Sequence, residues 1–252
     1  MKNKFLLLLI LGVAFFAGCN NDDDDDDDDN ALVGTWNLAP VELNDGGSFV
    51  SGPIEIKWEA GEDAQLVNYV PAIEGVAGAL LPQVLKDITF KKNSQIVATY
   101  SDAGISLDRD SLVEPNWKVS EAKYLKYKVV SDNQLQLYLN VENILKEVGD
   151  IDMTSMSAQL DAEDLPKLMS FVTKVSKEGV AASYVLSENL DKLTITLEKA
   201  LFDQIIPLLP VFVKLIPADN DAMLEIIPEI VEQLQAEWAM TTAFGISLKL
   251  EK

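Results

Sequence analysis

The chain contains no histidine, a single cysteine (Cys19) and a single arginine (Arg109). Without histidine, neither a Ser-His-Asp nor a Cys-His relay can be assembled, and zinc sites of the usual His/Cys kind are excluded. One cysteine permits no intrachain disulfide. One arginine leaves no arginine-based phosphate clamp. Net charge is −21 over 252 residues; Lys2, Lys4 and eight aspartates within residues 1–30 account for −6 of it, so the rest of the chain carries −15. So acidic a body argues against nucleic acid as a partner, because phosphate contacts need clustered Lys and Arg. Carboxylate, lysine, serine, threonine and tyrosine remain for chemistry, and no metal or cofactor is expected.

The N-terminus reads MKNKFLLLLILGVAFFAGC. Two lysines precede an apolar run from Phe5 to Phe16, too short for a span of about 20 residues, and Ala17-Gly18 supply small residues at its end. The pattern predicts a signal peptide over 1–18. The stretch Phe16-Ala17-Gly18-Cys19 resembles the lipobox of bacterial lipoproteins, with Phe16 where leucine is usual. That resemblance implies diacylglycerol on the Cys19 sulfur, cleavage before Cys19 and acylation of its new amine. The membrane is then a partner reached through lipid. The alternative is an ordinary secretory signal with a chance cysteine. Asp22 to Asp29 follow; adjacent like charges repel and cannot pack, so 19–30 is expected to be a lipidated cysteine with a disordered acidic tether. Acidic residues just after the cysteine resemble those of Bacteroidetes lipoproteins sent to the outer face of the cell outer membrane, which implies surface exposure. A solvated spacer is the plainer reading.

Residues 31–252 suffice for one domain with a real core, and 48% of the whole chain is apolar. Apolar and polar residues alternate at 54–59, 88–91, 134–139, 193–198 and 244–251, the period-two mark of half-buried antiparallel strands. Short polar links read as hairpins: 91–94 between 87–91 and 95–101, 131–133 between 124–130 and 134–140, and 187–191 between 181–186 and 192–198. Asn and Asp there tolerate left-handed backbone. The segments Tyr127–Asn133 and Tyr184–Asn189 are alike, as an internal repeat or as two hairpins under one constraint. Roughly eight or nine strands are expected. The first and last could close the sheet and remove its exposed edges.

Helical segments interrupt the strands. Residues 63–86 are apolar with Pro71 and Pro82, and Asp161 opens a capped helix to about Ser176 within an insertion spanning 141–180. Residues 200–239 divide into a nearly wholly apolar stretch, 200–216, and an amphipathic helix, 219–239, with Glu225, Glu229, Glu232 and Glu237 on its polar side. Prolines 207, 210, 217 and 228 should kink or restart these helices. The 200–216 stretch reads as a buried helix, or as a lid that meets a lipid or a partner; Asp203, Lys214 and two internal prolines argue against a membrane crossing.

Leu32-Val33-Gly34-Thr35-Trp36 opens the first strand. Gly-x-Trp at that place, followed by antiparallel hairpins, resembles the start of lipocalin-like (calycin) barrels, and the whole chain resembles secreted Bacteroidetes-type lipoproteins that join a lipobox, an acidic tether and a small barrel. The resemblance implies a tryptophan plugging one barrel end. Lipocalins place an arginine against it, where the last strand here offers only Lys249 or Lys252. The fold class expected is mainly β with helical insertions (α+β): an antiparallel lipocalin-like barrel closed by its first and last strands.

Chemical constellations are sparse. Asp102, Asp108, Asp110 and Glu114 could hold calcium, but their spacing fits no EF-hand loop. Asp219 and Asp221 read as helix caps. Glu55, Glu59, Glu62 and Asp63 could supply a glycosidase pair, and Trp58, Trp117, Tyr100, Tyr124 and Tyr138 a sugar platform, although strand aromatics are commonly core. Gly75 and Gly78 do not form a phosphate loop. The reading carried forward is a non-enzymatic, lipid-anchored binding protein for an apolar or amphipathic small molecule. Its expected lining is Trp36, Trp58, Phe90, Tyr100, Leu137, Phe202, Phe212 and Phe244. The alternatives are a surface module that binds glycan or an outer-membrane protein beside a transporter, and a carboxylate-based hydrolase.

Overall fold

The structure is a computed structural model and describes residues 30–103, 105–106, 113–140, 143, 160–214 and 227–252. The expected signal peptide, Cys19, the Asp22–Asp29 run, Asp108, Arg109, Asp110, most of 141–159 and the Asp219/Asp221 cap lie outside these residues.

Twelve strands and five helices are described: β1 (Gly34–Leu38), β2 (Glu42–Leu43), β3 (Phe49–Ser51), β4 (Ile54–Ala60), α1 (Val70–Val84), β5 (Leu85–Phe90), β6 (Gln95–Ser101), β7 (Trp117–Val119), β8 (Leu125–Ser131), β9 (Gln134–Leu139), α2 (Asp164–Lys177), β10 (Val180–Leu186), β11 (Lys192–Glu198), α3 (Lys199–Ile205), α4 (Leu209–Lys214), α5 (Ile227–Trp238) and β12 (Thr241–Glu251). Eight of the strands close on themselves in the order β1-β5-β6-β8-β9-β10-β11-β12, all antiparallel, and β12 returns to β1 through Asn37–Glu251 and Leu38–Leu250. The expected closure by first and last strands is therefore observed. Two further strands widen the wall: β4 pairs with the N-terminal part of β12, and β7 with the end of β6. Short β2 and β3 form a separate hairpin.

Alternation sets which side chains enter. Leu135, Leu137 and Leu139, then Leu193, Ile195 and Leu197, point inward and are buried, as are Leu248 and Leu250. They join one core that continues into the helices through Leu168, Phe171, Val175, Leu201, Ile206 and Val211.

The two ends differ. The three tight hairpins lie at one end, the floor, and every helical insertion lies at the other, the cap. Trp36 is fully buried at the floor and donates through Nε1 to the Leu32 carbonyl at 2.7 Å. Phe90 packs edge-on against Tyr127 at 5.0 Å. Each hairpin is stitched to the strand that follows it. The N–H of Tyr127 donates to Ser94 O, that of Tyr184 to Asn133 O and that of Lys252 to Asp191 O. Both tyrosine hydroxyls repeat the stitch, Tyr127 to Lys91 O at 3.1 Å and Tyr184 to Ser131 O at 3.2 Å. The likeness between the two tyrosine segments is thus a shared clasp on the preceding turn. Left-handed backbone falls on Ser94 and Leu190 and not on the neighbouring asparagines. Ser94 is the last residue before β6, and Leu190 is separated from β11 by Asp191 alone, so place in the turn, and not residue type, decides where left-handed backbone falls.

At the cap, β4 has β12 on one side only, and α1 covers the other. Glu74 Oε1 accepts the free Ile56 N–H at 2.6 Å, which satisfies an edge that would otherwise be exposed. The Phe49 ring lies across α1 at Gly75 and Gly78; a Cβ on Gly78 would stand 2.9 Å from it. Asp161 Oδ1 accepts the N–H groups of Glu163 and Asp164 at the start of α2. Gly179, at φ +77, ends the helix where a Cβ would meet Leu137 O at 2.9 Å. Prolines 71, 210 and 228 sit in first turns and Pro207 in the turn Ile206–Leu208. One expectation fails: Glu237 is not on the polar side of α5. It is buried and accepts Leu66 N–H at 2.6 Å, because the turn Leu66–Tyr69 crosses the end of that helix.

Candidate functional site

The cap holds an aromatic cluster built from four separate segments. Trp58 on β4 lies directly opposite Phe244 on β12, both on the inward face. α3 starts immediately after β11, so Phe202 arrives one turn later beneath them. α5 ends at Trp238, and two residues separate it from β12. Phe244 is the hub: its ring is 4.8 Å from Phe202, 5.0 Å from Trp238 and 5.4 Å from Trp58, all edge-to-face. Such geometry is favourable beyond the area it buries. Phe202 and Trp238 are buried, whereas Trp58 and Phe244 are half-buried.

Polar groups fix the rings. Trp58 Nε1 donates to Thr241 Oγ1 at 2.9 Å. Trp238 Nε1 donates to Asp203 Oδ1 at 2.9 Å, and Lys199 Nζ reaches the same oxygen at 2.6 Å while lying 5.2 Å from the Trp238 ring centroid. The lysine hydrogen bond, helped by that from Trp238, holds the carboxyl of the exposed Asp203 below its ordinary value, against the slight desolvation that would raise it. A greasy interior therefore meets one ion pair at its edge, an arrangement suited to a molecule with an apolar body and a polar head.

The expected lining residues do not all come together. Trp58, Phe202 and Phe244 come together at the cap. Trp36 and Phe90 lie at the floor, and Leu137 lies within the wall, all three buried. Tyr100 is half-buried on β6 in phase with inward Ile96 and Ala98, and Phe212 packs partly buried against the core. Trp238, Lys199 and Asp203 were not anticipated. The available signal for Trp238 was an aromatic closing an amphipathic helix six residues before an inward Phe244.

The sugar platform does not assemble as one surface. Trp58 is in the cluster, Trp117 is exposed on β7 opposite Ser101, Lys123 stands 5.2 Å from the Tyr124 ring, and Tyr138 is on the outer face of β9. Glu55 is bound by Lys249 at 2.6 Å, which lowers its pKa, the reverse of what a general acid needs. Asp102 is bound by Lys118 and by Asn116 at 3.0 Å. No group of three or more metal-ligating side chains is found among the described residues. A second ionic knot joins two cap helices: Lys214 Nζ meets Asp161 at 2.9 Å and Asp164 at 2.5 Å.

Comparison with protein-family models, curated proteins and solved structures finds no match to this chain.

Proposed function

We propose that this chain is a non-enzymatic binding protein, lipid-anchored through Cys19 at the outer face of the cell outer membrane. Its barrel and cap helices hold an apolar or amphipathic small molecule. The observation that carries the reading is the cap cluster, in which half-buried Trp58 and Phe244 face inward beside the Lys199–Asp203 pair. The closed eight-strand barrel with Trp36 at its floor supports a lipocalin-like fold, and the lipobox-like Phe16-Ala17-Gly18-Cys19 supports the anchor. Native mass spectrometry of residues 30–252, produced without the lipid anchor and purified without detergent, tests it. A retained mass that disappears on denaturation and extracts into organic solvent is expected. A bare mass, unchanged after incubation with envelope lipids, would refute it.

A second reading has its own observation. Trp117 is exposed on the short flanking strand β7, as a surface module for glycan or an outer-membrane protein would require. Binding of soluble polysaccharide that is lost in Trp117→Ala would favour that reading.

A further inference from the structure

Helix α1 turns an uncharged apolar stripe to solvent. Its one ionisable side chain, Glu74, faces the barrel edge and is bound to Ile56 N–H. Tyr69 just before it, Ile73 and Val76 are 59%, 41% and 46% exposed. Their spacing of four and three residues, with exposed Ala72 and Ala79 between and beyond, makes one continuous strip. The inner face already supplies the burial the helix needs, through Ala77, Leu80 and Leu81. Apart from the Tyr69 hydroxyl and from Gln83, which bonds the Ala79 carbonyl and Ser106 at its C-terminal end, the outer strip is apolar, and apolar patches of this kind mark contact surfaces.

We propose that this face lies on the bilayer surface, with α1 parallel to the membrane. The inference rests on the lipid-anchor reading. Ten residues, 20–29, separate Cys19 from Asn30, a length that spans about 35 Å at full extension. A seven-residue strand such as β4 or β6 is only about 23 Å tall. Asn30 is fixed at the floor by its bond to the Tyr127 hydroxyl, so the connection is long enough for the body to lie on its side. Tethering then raises the local concentration of lipid enough for a modest apolar contact to hold. Charge selects the lipid. From Trp58 to Leu85 there is no lysine or arginine, while Glu59, Glu62 and Asp63 are exposed. A helix without cations gains nothing from anionic headgroups, so the surface it fits is zwitterionic. The same acidic surroundings disfavour a second copy of the chain as the occupant.

Cys19 is the only natural thiol and is acylated in the mature protein under this reading, so Val76→Cys can carry one environment-sensitive fluorophore. The full mature protein, reconstituted in phosphatidylcholine vesicles, is expected to show a blue shift and loss of emission to a spin-labelled lipid. The same label at Val185→Cys, exposed on β10, should show neither. Ile73→Asp should return the Val76 label to its aqueous emission, and vesicles rich in phosphatidylglycerol should weaken the effect. A chain that floats with vesicles while the Val76 label stays aqueous overturns the inference and leaves the anchor standing. A chain that does not float overturns both. A label that is aqueous on vesicles but shielded on intact cells assigns the face to a protein partner and also overturns it.

Discussion

The ammonium of Lys252 stands 4.3 Å from the centroid of the fully buried Trp36 ring. It occupies the position for which a lipocalin-like barrel would use arginine. The two residues join the chain's first and last strands at the floor, where cation and ring face attract. Lys252→Ala should lower unfolding free energy by about 0.5–1 kcal/mol, with Lys252→Arg near the parent. Trp36→Ala should cost about 3–5 kcal/mol, because a large buried ring leaves a cavity. Urea denaturation of the three variants checks the order; equal losses for Lys252→Ala and Lys252→Arg would rule out the cation.

At the cap, Trp238→Phe retains a ring beside Phe244 but removes the donor to Asp203. A loss of about 1 kcal/mol is expected for that hydrogen bond, against about 3–5 kcal/mol for Trp238→Ala. If a ligand is retained, Trp238→Ala should release it and Trp117→Ala should not.

Two groups contribute to stability at opposite ends of the pH range. Asp161 is lowered to about 2 by Lys214 and by the N–H groups at the start of α2. Its folded value lies below its unfolded value near 3.9, so its contribution is complete above about pH 4 and is lost as pH falls towards 2. Tyr127 moves the other way, raised to about 12 by burial. The neutral phenol is favoured in the folded state, so its contribution is complete below about pH 10 and lost as pH rises through 12. Stability measured against pH should flatten at the acid end in Asp161→Asn and at the alkaline end in Tyr127→Phe; unchanged slopes would refute both assignments.

Gly78 lets Phe49 rest on α1, and Gly52 closes on the same ring from the hairpin side, where a Cβ would stand 3.0 Å away. Alanine at 78 favours the helix by about 1 kcal/mol but displaces the ring. The expected result of Gly78→Ala is faster hydrogen exchange over β2 and β3, matched by Phe49→Ala. A hairpin protected as in the parent would mean the ring simply rotates aside.

The wall of the barrel was legible because period-two alternation has one physical solution when one face is buried. The segments around Leu137, Ile195 and Leu248 show it directly. What escaped depends on contacts between distant segments. Alternation at Ile54, Ile56 and Trp58 identifies a strand, but not that it pairs with β12 alone and leaves its other edge to Glu74. Glu237 reads as a surface acid until Leu66 N–H is brought to it. Trp238 joins Trp58, Phe202 and Phe244 only after two insertions, between β1 and β5 and between β11 and β12, converge on β12. Turn composition pointed to asparagine, while place in the turn chose Ser94 and Leu190.

The closing pairs of the barrel, Asn37–Glu251 and Leu38–Leu250, lie more than two hundred residues apart along the chain. Every other barrel pairing can form between segments made earlier, including β11 with most of β12. The ring itself stays open until Leu250 and Glu251 are free to move. Loop-closure entropy rises with the length enclosed, and distant pairings slow folding. The sheet should therefore grow as a curved ribbon, with its circumference completed last. Until then Trp36 has no ammonium above it, and the unpaired rims of β1 and β12 are the places where a half-made molecule would meet another and aggregate.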